Sequence, residues 1–173
     1  MNNITDAVKH LIIINIIFFA GSLTFGNIAF EKLSIWYPEN NNFEVWQIFT
    51  HMFMHHPTFY LHIIANMFGL WMFGTPLEQI WGRNKFLFFY FSTGLGAVLL
   101  PFIIDYIQFN SIINELVSSG ISKNEILNLL NQGDYLTSWN DKIGKEQIAK
   151  LFRIFDKSSL GASGAVMGLV AAF

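Results

Sequence analysis

Hydrophobic positions fall in four long runs separated by polar stretches. From His10 to Phe30 the chain carries no Asp, Glu, Lys or Arg. At about 1.5 Å per helical residue, such a run is long enough to cross a hydrocarbon core of about 30 Å. A second run extends over 58–77, just after Pro57, and a third over 86–104. The third holds a small-residue patch at Gly94, Gly96 and Ala97, with Pro101 near its end. The fourth, 160–173, is shorter. The pattern predicts membrane-spanning helices over 10–30, 58–77, 86–104 and 160–173, and so an all-α, polytopic membrane bundle. Ala20, Gly21 and Ser22 would also suit signal-peptide cleavage. A weakly basic start, and apolar character continuing through Phe25 and Phe30, favour a span.

The polar stretches differ in kind. Residues 31–45 form a loop with Pro38 and the asparagine run Asn40–Asn42. Its aromatics, Trp36, Tyr37 and Phe43, with Trp46 just beyond, are of the type that gathers at a membrane–water interface. Residues 105–159 carry most of the remaining charge. Ser122-Lys123-Asn124-Glu125 has the capping-box pattern, and Ile148, Leu151, Phe152 and Phe155 keep helical spacing. This segment is expected to form short amphipathic helices outside the membrane, lying near its surface or folded on themselves.

Composition sharpens this picture. The chain is 53% hydrophobic, 17% aromatic and 13% charged, with a mean hydropathy of +0.41. Charge is about half the usual soluble share. The net charge of −2, without a basic patch, gives no reason to expect a nucleic-acid partner. No cysteine is present, so neither a disulfide nor a thiolate metal site can form. Basic residues place the loops: Arg83 and Lys85 in the second short loop outweigh Lys32 in the first. The N-terminus is therefore expected on the cytoplasmic side, and Ser163 near the outer surface.

Two groups of residues carry candidate chemistry. Gly161-Ala162-Ser163-Gly164 opens the last run. A serine at a helix start lies beside free backbone N–H groups and the positive end of the helix dipole, which can stabilise an oxyanion. The plainer alternative is a capping serine ahead of a packing helix, with Gly164 and Gly168 at the G-x-x-x-G spacing. On the second run, His62 and Asn66 are four apart and share one helix face. Polar groups inside a span face other helices or a wet cavity, so an interhelical hydrogen-bond pair is the alternative here. The inferred orientation brings Ser163, His62 and Asn66 to the same outer half of the bundle. His51, His55 and His62 suggest metal binding, but they lack an acidic or thiolate partner and no H-E-x-x-H occurs. No metal or other cofactor is expected.

These residues resemble the rhomboid family of intramembrane serine proteases. Gly161-Ala162-Ser163-Gly164 is similar to the family's G-x-S-G motif at the start of its fourth membrane helix. His62-Ile63-Ile64-Ala65-Asn66 is similar to the H-x-x-x-N motif of its second. Trp46 to His55 and Glu78 to Gly82 resemble the segments flanking that helix. The resemblance implies a rhomboid-like bundle of six helices, four of them present here, in a lipid bilayer, with a bacterial inner membrane the expected location. It implies Ser163 as nucleophile, an oxyanion hole from His62, Asn66 and the Ser163 N–H, and Gly161 and Gly164 as close-packing positions. Substrates would be transmembrane segments of other proteins.

The chain departs from the family pattern in several places. The base histidine on a sixth helix is not among residues 1–173, so the chain as given is expected to be an inactive N-terminal portion. Gln47 stands where arginine is common, two extra residues separate His55 from His62, and the loop at 105–159 is long. Two alternatives to a protease are an inactive rhomboid-like binding or chaperone module, and an unrelated membrane protein whose glycines and His–Asn pair serve packing alone.

Overall fold

The computed structural model describes residues 3–173, so residues 1 and 2 of the expected 1–173 domain lie outside the described residues. Among these the chain is all-helical, apart from one isolated antiparallel bridge between Ile35 and Ser159. Nine α-helices are described: α1 Asp6–Phe25, α2 Asn27–Leu33, α3 Gln47–Thr50, α4 Tyr60–Gly69, α5 Thr75–Trp81, α6 Arg83–Ser118, α7 Lys123–Asn131, α8 Trp139–Phe155 and α9 Ser163–Ala172. A 3₁₀ turn, His51–Phe53, follows α3, and a π turn, Leu70–Gly74, joins α4 to α5. Two helices, α1 and α6, are long and apolar enough to cross a membrane, while α9 is shorter.

The apolar run over 10–30 is not one helix. Gly26 sits at φ 53, a left-handed conformation that stops α1, and α2 starts afresh behind it. The run over 58–77 becomes α4, the π turn and α5 in continuous helical conformation. Gly82, at φ 78, ends it. The run over 86–104 extends well beyond its sequence-predicted end: α6 continues through Pro101 to Ser118. Proline removes one backbone N–H from the helix but does not break it here.

Two compact units divide the chain. The first comprises residues 1–35, 45–99 and 159–173. Its core gathers Val8 and Leu11 of α1, Leu70 of the π turn, Leu77 of α5, Phe86 and Tyr90 of α6, and Ala165 and Leu169 of α9. A buried carboxylate ties its ends together. Glu78 accepts the backbone N–H groups of Ala7 and Val8, each at 3.0 Å. Those donors lie in the first turn of α1, where no intrahelical carbonyl is available and negative charge is favoured.

Close packing in this unit depends on small residues. A Cβ on Gly164 would stand 2.5 Å from Ala97 Cβ, and one on Gly168 would stand 2.6 Å from Thr93 Cβ. One on Gly69 would meet Val166 Cγ1 at 2.8 Å. So α9 lies against α6 along its glycine face and against α4 through Val166, the small-residue packing of membrane helices.

The second unit comprises residues 36–44 and 100–158. Its core is formed by Tyr37 of the 36–44 segment, Phe109 and Leu116 of α6, Ile126 and Leu130 of α7, and Trp139, Leu151 and Phe155 of α8. The amphipathic segments expected in 105–159 are thus packed on one another. Tyr37 is a core residue here, 2% exposed, and not an interface aromatic as its sequence neighbourhood suggests. The asparagine run docks by hydrogen bonds: Asn40 Nδ2 donates to the Phe155 carbonyl at 3.0 Å, and the Asn41 N–H donates to Asn131 Oδ1 at 2.9 Å. Ser122 caps α7, its hydroxyl accepting the Glu125 N–H at 3.1 Å.

Candidate active site

The short segment before α9 is held from several sides. Ile35 and Ser159 exchange two backbone hydrogen bonds, each at 3.0 Å. Two residues later the Gly161 N–H donates to the His51 carbonyl at 2.8 Å. Gly161 sits at φ 113, a conformation open to glycine and strained for other residues. This turn delivers Ser163 to the first position of α9. The first intrahelical bond runs from the Val166 N–H to the Ala162 carbonyl at 2.9 Å. The N–H groups of Ser163, Gly164 and Ala165 therefore have no intrahelical acceptor and lie at the positive end of the helix.

Across the turn stands His62, in the first turn of α4 and half-buried. A Cβ placed on Gly161 would be 3.0 Å from His62 Cε1, 3.3 Å from His62 Nε2 and 3.6 Å from Ser163 Oγ. The imidazole and the hydroxyl thus both border the space left beside the bare glycine. Phe59 stacks on the His62 ring, centroids 6.1 Å apart and planes at 22°. Ser163 is exposed, so its hydroxyl is open to water or to a docking chain.

Asn66 lies one turn further along α4 and is 5% exposed. Its Nδ2 donates to the His62 carbonyl at 3.0 Å and to His55 Nε2 at 3.3 Å. His55 is fully buried, and its ring lies 5.1 Å from that of His62. The structure therefore brings Ser163, His62 and Gly161 together directly, and links Asn66 to them through His62 and His55. Gly164 faces Ala97 and supports the turn from the far side of α9.

His55 is the residue of this cluster that the sequence reading left in the approach loop. No periodicity marks it, because it follows the 3₁₀ turn in non-helical backbone. Burial, then the neighbouring His62, lowers its pKa from 6.5 to about 4, so the ring is neutral near pH 7. Burial likewise lowers the pKa of His51. His51 Nδ1 donates to the Gln47 carbonyl at 2.8 Å, and Gln47 Nε2 to the Glu31 carbonyl at 3.0 Å. A chain of hydrogen bonds thus runs from the end of α2 through Gln47 and His51 to Gly161. The neutral Gln47 fits it, fully buried among carbonyl acceptors. His56 is exposed and paired with Thr58, outside the cluster. Among the described residues no group of three or more His, Cys, Asp or Glu side chains is placed to hold a metal ion.

The arrangement offers an exposed hydroxyl, an imidazole beside the same glycine and helix-start N–H groups next to the hydroxyl. Such a set can bind a developing alkoxide after attack on a carbonyl. A family model for the Rhomboid domain matches residues 42–173. No curated protein matches the chain.

Proposed function

The chain belongs to the rhomboid family of intramembrane serine peptidases, and from that premise we propose that it is the catalytic portion of an endopeptidase that cuts transmembrane segments of other membrane proteins. Ser163 is the nucleophile. Its Oγ attacks the scissile carbonyl carbon, and its proton passes to a base carried by a further helix. His62 donates through its ring N–H to the resulting alkoxide, joined by the Ser163 backbone N–H and by Asn66. One such donor contributes about 3–4 kcal/mol in the transition state. Gly161 and Gly164 keep the space that lets the serine turn sit against α4 and α6.

The observation that carries this reading is that Ser163 Oγ and His62 Nε2 both border the space beside Gly161. A packing-only serine has no need of an imidazole opposite it, or of a positive-φ glycine between them. We further infer that four membrane spans of an eventual six lie in this chain, over about 10–30, 58–77, 86–104 and 160–173, with 105–159 outside the bilayer. The N-terminus is cytoplasmic and the site opens toward the outer face of a bacterial inner membrane, as the loop charges favour.

The test is cleavage of a membrane-embedded reporter in liposomes by the full-length protein, including the further helix that carries the base. Ser163→Ala should abolish cleavage while the protein stays folded and inserted. Cleavage retained by this variant would remove Ser163 as nucleophile. Reporter binding without cleavage by the unaltered full-length protein would favour the inactive binding-module alternative.

A further inference from the structure

The Asn66 carboxamide has two N–H donors, and both are engaged. Nδ2 donates to the His62 carbonyl at 3.0 Å and to His55 Nε2 at 3.3 Å. Reversing the amide would set its oxygen against the His62 carbonyl oxygen, two acceptors with no proton between them. The nitrogen must therefore face both partners. His55 Nε2 is then an acceptor, and the remaining ring proton sits on Nδ1, where it donates to the Phe53 carbonyl at 3.3 Å. One neutral tautomer satisfies the whole chain from Phe53 through His55 and Asn66 to His62. That chain leaves no Asn66 N–H for an oxyanion.

The oxyanion role of Asn66 proposed above, on which this inference rests, therefore needs an exchange of partners. We propose that His55 is a positioning residue: it holds one Asn66 N–H in the resting site and yields it to the oxyanion as the tetrahedral intermediate forms. The bond to His55 is the one that gives way. It is the longer of the two, and the His62 carbonyl is fixed in the backbone of α4. An alkoxide carries full negative charge and is a stronger acceptor than an imidazole lone pair. No proton changes owner in the exchange. His55 keeps its Nδ1 proton, and its Nε2 is left with a free lone pair. Because His55 is carried by the loop between the 3₁₀ turn and α4, the position of that loop sets how readily Asn66 donates.

The test uses the full-length protein, including the further helix that carries the base, labelled with [¹⁵N]histidine. Residues 1–173 contribute five histidines, few enough for single ring nitrogens to be assigned. The His55 Nε2 resonance is assigned by its loss in His55→Gln. It is then compared in the free protein, in Asn66→Ala, and after reaction with a fluorophosphonate. That reagent forms a covalent adduct on an activated serine and carries a phosphoryl oxygen into the oxyanion position. The expected result is that the adduct moves His55 Nε2 in the same direction and by the same amount as Asn66→Ala does. An adduct that leaves the resonance in place overturns the exchange while keeping Ser163 as the nucleophile. Failure to form an adduct overturns the serine reading and the exchange with it. If Asn66→Ala itself leaves Nε2 unmoved, the resting bond is absent and the exchange falls whatever the adduct does.

Discussion

Gly161→Ala separates the two reasons for a glycine at this turn. The backbone there sits at φ 113, where a side chain costs about 1–3 kcal/mol. The added methyl would also stand 3.0 Å from His62 Cε1 and 3.3 Å from Nε2, closer than ordinary contact. The His62 ring must give way by a few tenths of an ångström. The expected consequence is that the imidazole is displaced from the reacting oxygen and one oxyanion donor is weakened or lost. Loss of one such donor typically lowers kcat by about 10²–10³. The backbone strain alone should lower the unfolding midpoint by about 2–10 °C. The assay is turnover of a membrane reporter by the full-length protein with its base-carrying helix, with the thermal midpoint in the same detergent measured beside it. A lowered midpoint with kcat within about threefold of the unaltered protein would refute the placement of His62 at the reacting oxygen. An unchanged midpoint would refute the strain argument instead.

Three further predictions follow from the same unit. Glu78→Gln removes a carboxylate that accepts two N–H groups at the start of α1, each at 3.0 Å; hydrogen bonds to a charged group are worth about 1.5–3 kcal/mol, so a clear fall in thermal midpoint is expected, and no fall would mean the tie is not structural. Gly168→Val would drive a side chain into Thr93, whose Cβ lies 2.6 Å from the added atom; overpacking of this kind costs about 1–3 kcal/mol, and a midpoint equal to that of the unaltered chain would contradict the close contact of α9 with α6. His55 gives a pH dependence with a definite sign. Its folded pKa of about 4 lies below the ordinary 6.5, so the unfolded chain binds the proton more readily, and stability is full above about pH 6.5 and lost as pH falls toward 4. In His55→Leu the acid-side slope in that window should flatten, and an identical slope would show that the group does not titrate as described.

Neighbouring residues alone mark where the apolar runs lie and which side chains could do chemistry, though not where each helix ends. Charge-free runs, glycine spacing and the Ser122–Glu125 cap are local patterns, and neighbouring residues suffice to read them. Ser163, His62, Asn66, Gly161 and Gly164 stood out for the same reason: each breaks the apolar pattern of its own run. Tertiary structure decided what those residues meet. Gly26 was one more small residue in an apolar run until its positive φ ended α1. Glu78, close to Arg83 and Lys85 in sequence, is nonetheless buried, where it accepts two N–H groups at the start of α1. Tyr37 reads as an interface aromatic and serves as core. His55 carries no periodic signal, and only its burial against Asn66 gives it a role. These contacts join segments distant in sequence, and their energies depend on the path of the backbone between them, which no local pattern of residues encodes.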